Sequence, residues 1–158
     1  MRRDTLLLLE LRIPPVLLVL ITGAGMFLLA RAFPRWTMPL PGRVPLALAL
    51  AATGAAVALA GVAAFRRART TVNPITPQAS SALVVSGVYR FSRNPMYLGF
   101  LLLLCGWAVL LAHAPAALLL PLFVAWMNRF QIRPEERALA ARFGDGYAAY
   151  ARRVRRWL

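Results

Sequence analysis

The sequence holds no lysine, one cysteine, one histidine and five acidic residues among 158. Each shortage removes a class of chemistry. Cys105, alone, can form neither an internal disulfide nor a cysteine metal cluster, and among leucines it reads as a small buried hydrophobe. His113 stands by itself at a turn between two apolar runs and reads as a solvated turn residue rather than a ligand or base. The acids are Asp4, Glu10, Glu135, Glu136 and Asp145, so the only adjacent pair is Glu135-Glu136. No metal site is expected.

What the chain has instead is apolar. Hydrophobic residues make up 60% of it and mean hydropathy is +0.63, outside the range of a soluble globular domain. The expectation is an all-α integral membrane protein, residues 1–158 forming one domain in a lipid bilayer. The basic set is nineteen arginines, giving a net charge of +14. These alternate with apolar segments rather than forming one patch, so nucleic acid is not an expected partner. An all-arginine set points to a GC-rich coding sequence and a bacterial source. Near the start no small-residue cleavage site follows the leucines, so this segment reads as retained rather than as a signal peptide.

Four apolar runs divide the chain. The first covers about residues 14–30 and the second about 44–65, long enough for a ~30 Å hydrocarbon core. Gly54, Ala55, Ala58 and Gly61 lie along the second and predict close helix packing. Residues 97–112 form the third run, and 116–127 the fourth, with a tight hairpin at His113-Ala114-Pro115. The fourth run, twelve residues, falls short of the roughly 20 needed to cross. Its helix is therefore expected to continue through Asn128, Arg129 and Gln131, polar groups tolerated at that depth only against protein or a wet cavity. With four spans, sixteen arginines share the side of both termini and three (Arg31, Arg35 and Arg43) lie opposite. The positive-inside rule places the sixteen in the cytoplasm, for a bacterial inner-membrane protein. Two short amphipathic helices complete the chain: Pro134 opens the first, Gly144 ends it, and Asp145 caps the second. Tyr147, Tyr150, Val154 and Trp157 make an apolar stripe on the second, opposite Arg152, Arg153, Arg155 and Arg156, as in a helix lying on an anionic membrane surface.

The stretch Ser86-Gly87-Val88-Tyr89-Arg90-Phe91-Ser92-Arg93-Asn94-Pro95-Met96-Tyr97-Leu98-Gly99 sets arginine, amide and phenol groups at the mouth of the third run. Pro95 marks a helix start with Asn94 as N-cap, and on residues alone a capped helix entering a bilayer accounts for it. A first-turn role at a helix N-terminus likewise accounts for one glutamate of the Glu135-Glu136 pair, not for both.

With Thr70-Thr71-Val72-Asn73-Pro74 and Leu83-Val84 before it, and Pro134-Glu135-Glu136, Phe143-Gly144 and Tyr147-Ala148-Ala149-Tyr150 after it, this stretch resembles the isoprenylcysteine carboxyl methyltransferase family. That family belongs to a wider group of membrane-embedded methyltransferases that includes phospholipid N-methyltransferases. Residues 70–157 carry the resemblance. It implies S-adenosyl-L-methionine as cofactor, with Ser81, Ala82, Leu83 and Val84 presenting mostly backbone to it. Tyr89, Asn94, Pro95, Met96 and Tyr97 would surround the rest, and Glu135, with Glu136 beside it, would meet its polar groups. Two departures stand out. The family has histidine where Asn94 and Ser81 stand here, and its substrate arginine, four residues before the glutamate, is Gln131. Arg93 and Arg129 or Arg133 are then expected to hold an anionic substrate head or the cofactor carboxylate.

Methyl transfer is an in-line displacement that a protein assists by alignment and exclusion of water, which suits a chain so poor in nucleophiles and bases. The expected function is a methyltransferase acting on a lipophilic substrate, with Arg93, Arg129, Arg133 and Glu135 as the working set. A phosphatidylethanolamine-type N-methyltransferase stays open. So do a four-span small-molecule transporter using Glu10 and a membrane reductase of the sterol-reductase type.

Overall fold

The computed structural model describes residues 10–69 and 82–158. Of the family-like segments, Thr70-Thr71-Val72-Asn73-Pro74 and Ser81 lie outside the described residues, as does the leucine run up to residue 9.

Among the described residues the architecture is all-α. The helices are α1 (Pro15–Ala32), α2 (Arg43–Arg67), α3 (Pro95–Leu111), α4 (Ala114–Ala117), α5 (Leu119–Trp126) and α6 (Arg133–Arg153). A π-helical segment, Met127–Ile132, carries α5 into α6, so the chain does continue as helix through Asn128, Arg129 and Gln131. Proline stands in the first turn of α1, α3 and α6, where its missing N–H costs no hydrogen bond and its fixed φ is already helical. Both α1 and α2 are long and apolar enough to cross a membrane; α3 is a shorter apolar helix of 17 residues. Large apolar side chains on the outer faces stay uncovered, Leu20 63%, Leu28 65%, Leu48 65% and Leu59 67% exposed, as hydrocarbon surroundings permit and water does not.

Close approach of α2 and α3 rests on small residues. A Cβ added at Gly99 would lie 2.5 Å from Gly54 O and 2.8 Å from Ala58 Cβ, and one at Gly106 would lie 2.8 Å from Ala47 O. Gly61 likewise makes room for Met96. This is the backbone contact that the small-residue stripe predicts. On the other side of α3, Trp107 Nε1 donates to Gly23 O of α1 at 3.0 Å. One buried cluster (Met26, Tyr97, Leu104, Ala116, Phe123, Met127 and Ile132) joins α1, α3, α4, α5 and the π-helical segment.

The structure corrects three expectations. His113 is 2% exposed rather than solvated: Nδ1 accepts from Ala116 N at 3.1 Å, capping α4, while Nε2 pairs with Phe33 O at 3.0 Å. With Met38 N donating to Ala112 O at 2.8 Å, this pins the turn after α3 to the connection between α1 and α2. Asn94 occupies the N-cap position of α3 without a capping side-chain bond; its amide is spent elsewhere, on Arg156 O. Finally, the stripe Tyr147, Tyr150 and Val154 faces protein rather than a membrane surface, packing with Leu83, Leu139 and Phe143, while Trp157 packs on the main cluster. Burial against the chain's own apolar groups satisfies the stripe. As expected, Gly144 breaks α6, at φ 48° and ψ −122°, a conformation open to glycine and strained for other residues.

Candidate functional site

Tyr97 lies in the first turn of α3 and Glu135 in the first turn of α6, and the structure puts them in contact. Tyr97 Oη donates to Glu135 Oε1 at 2.5 Å, and Gln131 Nε2 donates to the same oxygen at 2.6 Å. Gln131 reaches this point from the π-helical segment, whose wider turns are frequent at functional sites. Its side chain also lies 3.4 Å from the Tyr97 hydroxyl. Three elements thus converge on one carboxylate oxygen.

Glu136, the next residue, is held differently. Arg156 grips it with both prongs, Nε to Oε1 at 3.0 Å and Nη2 to Oε2 at 2.6 Å, and Arg93 Nη2 approaches Oε1 at 3.0 Å. The segments around these arginines are stitched together. Arg93 N donates to Arg155 O at 3.0 Å, Asn94 Nδ2 to Arg156 O at 2.9 Å, and Trp157 Nε1 to Asn128 Oδ1 at 3.1 Å. Tyr150 Oη donates to Tyr89 O at 2.8 Å. Tyr89 and Val84 are buried against Ala64 of α2, while Leu83 packs with Tyr147 and Tyr150. Residues 82–97 therefore form a wall between α2 and α6. Met96 is half-buried, Pro95 fully buried and Ala82 half-buried.

Electrostatics single out Glu135. Burial pushes its pKa up to about 7 from 4.5; bonds from Tyr97 and Gln131 pull it back down, and Glu136 adds to the rise. Burial, with Tyr150 and Glu135 nearby, raises Tyr89 well above the ordinary tyrosine value. Tyr147 goes up to about 12, chiefly by burial and then by Glu136. Arg93 Nε is a buried donor with no hydrogen-bond partner among the described residues. The site thus offers a desolvated carboxylate on Glu135 and, on the Arg93 guanidinium that meets Glu136, one buried N–H without a partner among the described residues.

The other arginines of the expected set lie apart from it. Arg129 pairs with Glu10 at 2.7 Å and stacks over Phe130, and Arg137 pairs with the second oxygen of Glu10. Arg133 is exposed. On this helix Gln131 and Glu135 occupy the inner face, Arg129, Arg133 and Arg137 the outer. Arg156, Tyr147, Tyr150 and Asn128 are not among the expected site residues, although Tyr147 and Tyr150 belong to the family-like motif and Asn128 to the polar end of the fourth run. Arg156 looks like one more arginine of a solvated run, and only its half-buried position separates it from Arg152, Arg153 and Arg155, which are exposed.

The family model described as phospholipid methyltransferase matches residues 43–146, a span holding Tyr89, Arg93, Tyr97, Gln131, Glu135 and Glu136. The chain belongs to the phospholipid methyltransferase family. Its relation to the isoprenylcysteine branch is shown by two yeast proteins named protein-S-isoprenylcysteine O-methyltransferase. The one from Schizosaccharomyces pombe is 35% identical over 72 residues, 46% of this chain and 30% of that protein. The one from Saccharomyces cerevisiae is 38% identical over 78 residues, 49% of this chain and 32% of that protein. The matches thus span about a third of each yeast enzyme. An uncharacterized protein of Haemophilus influenzae is 44% identical over 63 residues, 40% of this chain and all of that protein. No solved structure matches the chain.

Proposed function

We propose that this member of the phospholipid methyltransferase family is a membrane-embedded, S-adenosyl-L-methionine-dependent methyltransferase that modifies a lipophilic acceptor at the cytoplasmic face. The observation that carries this reading is the convergence of Tyr97, Gln131 and Glu135 on one carboxylate oxygen, at the mouth of an apolar helix and inside the family match.

The donor set suits the cofactor. Glu135 is a desolvated carboxylate, matched to an ammonium or to ribose hydroxyls, which are donors. Arg93 Nε is an orphaned buried donor, matched to a carboxylate. When bound, S-adenosyl-L-methionine supplies an electrophilic methyl group. The chain's own residues bind and orient. Tyr97 and Gln131 hold the Glu135 carboxylate in one rotamer, Arg93 and Arg156 neutralise Glu136, and the apolar wall of Val84, Tyr89 and Met96 keeps water away. Alignment of this kind is the main contribution a protein makes to a displacement.

In this reading α3 and the helix running from α5 through the π-helical segment form a membrane hairpin, giving four spans with α1 and α2. The arginine distribution then puts the site on the cytoplasmic side of a bacterial inner membrane. Arg133, exposed at the head of α6, meets an anionic acceptor head, while Glu10, tied to Arg129 and Arg137, anchors the segment before α1 rather than coupling transport. The acceptor is an isoprenylcysteine-like carboxylate or, as the family description favours, a phospholipid amine.

Purified protein in detergent tests the reading: S-adenosylhomocysteine should raise its thermal midpoint, and labelled methyl from S-adenosyl-L-methionine should enter a total lipid extract. Base-labile label, released as methanol, identifies an ester; base-stable label identifies an amine. No stabilisation and no transfer would refute the proposal.

A further inference from the structure

We propose that Arg156 is a positioning residue of the cofactor site, drawing Glu136 aside so that Glu135 is the carboxylate presented to the ligand. This rests on the reading above and extends it to a segment beyond the family match, which ends at residue 146.

The backbone leaves the helix just where this becomes possible. α6 ends at Arg153, and Val154 is extended at φ −121° and ψ 132°, so residues 154–158 run as a strap rather than as further helix. The strap crosses between the start of α3 and the π-helical segment. It takes Arg93 N on Arg155 O, Asn94 Nδ2 and Ser92 Oγ on Arg156 O at 2.9 and 3.4 Å, and gives Trp157 Nε1 to Asn128 Oδ1. These bonds fix the Arg156 backbone to the motif of α3, and its guanidinium then reaches Glu136 with two parallel bonds.

Adjacent residues on a helix point about 100° apart, so Glu135 and Glu136 cannot both face Tyr97. The helix register turns Glu135 towards Tyr97, and Arg156 holds the neighbouring Glu136 carboxylate away from it. Glu136 is gripped by Arg156 and Arg93; among the described residues the hydrogen-bond partners of Glu135 are the neutral Tyr97 and Gln131. Among the described residues the charged and titratable groups around Glu135 are Tyr97 from α3, Tyr89 from the turn before it, Tyr147 and Glu136 from α6, and, through Glu136, Arg93 and Arg156. Without Arg156, the Glu136 charge is less compensated and opposes ionisation of Glu135 more strongly. A planar fork matters here, because a lysine offers a point charge and no paired bonds.

The experiment measures S-adenosylhomocysteine affinity across pH for the full chain in detergent, in wild type, Arg156→Gln, Arg156→Lys and the exposed control Arg153→Gln. Arg156→Gln should move the pH midpoint of binding up by about half a unit to one unit. At pH 7 that weakens binding about two- to fivefold, since affinity follows the ionised fraction of Glu135. Arg156→Lys should restore the wild-type midpoint while binding more weakly, and Arg153→Gln should match wild type. A wild-type midpoint in Arg156→Gln, or an equal shift in Arg153→Gln, overturns the role. Should Arg156→Gln fail to fold, Arg156→Lys decides: weaker binding at an unmoved midpoint supports it, and wild-type affinity at every pH overturns it. Wild type that binds no S-adenosylhomocysteine overturns the cofactor reading itself and this role with it, whereas binding indifferent to Arg156 overturns this role alone.

Discussion

The Tyr97 hydroxyl donates to Oε1 of Glu135, joining the first turn of α3 to the first turn of α6 across 38 positions of sequence. Losing either partner should therefore be felt at the ligand. Glu135→Gln removes the acceptor for a cationic or hydroxyl donor and should abolish stabilisation by S-adenosylhomocysteine. Tyr97→Phe leaves the carboxylate but frees its rotamer, and should weaken that stabilisation by about 1 kcal/mol, the usual worth of one hydrogen bond. Thermal shifts with and without the ligand read both, and unchanged shifts would remove this pair from the site.

One group should drive two opposite pH trends. The folded pKa of Glu135 is raised to about 7 from 4.5, so its contribution to stability is whole below about 4.5 and is lost as pH rises through about 7. The ligand-free protein should accordingly lose on the order of 2 kcal/mol between about pH 5 and pH 8. In Glu135→Gln the loss should be absent. Ligand affinity should run the other way, rising about tenfold per unit below pH 7 as the carboxylate ionises. Denaturation curves and ligand titrations at matched pH values check both slopes.

Closing the gap between α2 and α3 should be costly. In Gly99→Leu the first added carbon already lies 2.5 Å from Gly54 O, so the helices must separate, at about 1–3 kcal/mol or more. Gly146→Ala, with nothing within 4 Å of the new carbon, should be neutral or stabilising by about 0.5–1 kcal/mol. Thermal midpoints in detergent distinguish the two.

His113→Ala should cost about 1–2 kcal/mol, because the α4 cap and the bond to Phe33 O go together. The residue belongs to the connections at the far end of α3 from Tyr97, so S-adenosylhomocysteine affinity should not change. An altered affinity would place His113 in communication with the site.

The helical character, the first two long apolar segments and the small-residue contact were legible in the sequence, because each is written in local composition: runs of leucine and alanine, glycines at helical spacing, proline at helix starts. Tyr97, Glu135 and Glu136 were expected near one another through resemblance, with Arg93 beside them, and the structure puts them in contact. The remaining site residues depend on contacts between distant segments. Nothing local separates Arg156 from Arg155, yet one grips Glu136 and the other is exposed. Asn94 carries the pattern of a cap and spends its amide on Arg156 O. The stripe of Tyr147 and Tyr150 has the period of a membrane-surface helix, and is buried because residues 82–91 supply an apolar wall for it. His113 illustrates the same limit: its burial depends on Phe33, 80 positions away.

The π-helical turn at Met127–Ile132 works as a ruler. An α-helix advances about 100° per residue, and a π-helical turn holds one residue more than α-helical winding would. A residue deleted inside this turn can be absorbed by rewinding to α-helix, but one deleted just after it, Arg133, would swing everything downstream through roughly a quarter of a circle. Glu135 would then point about 100° away from Tyr97, with both side chains still in the chain and out of each other's reach. The distance in residues between the last apolar helix and the acidic pair is therefore as much a part of this protein's chemistry as the acids themselves.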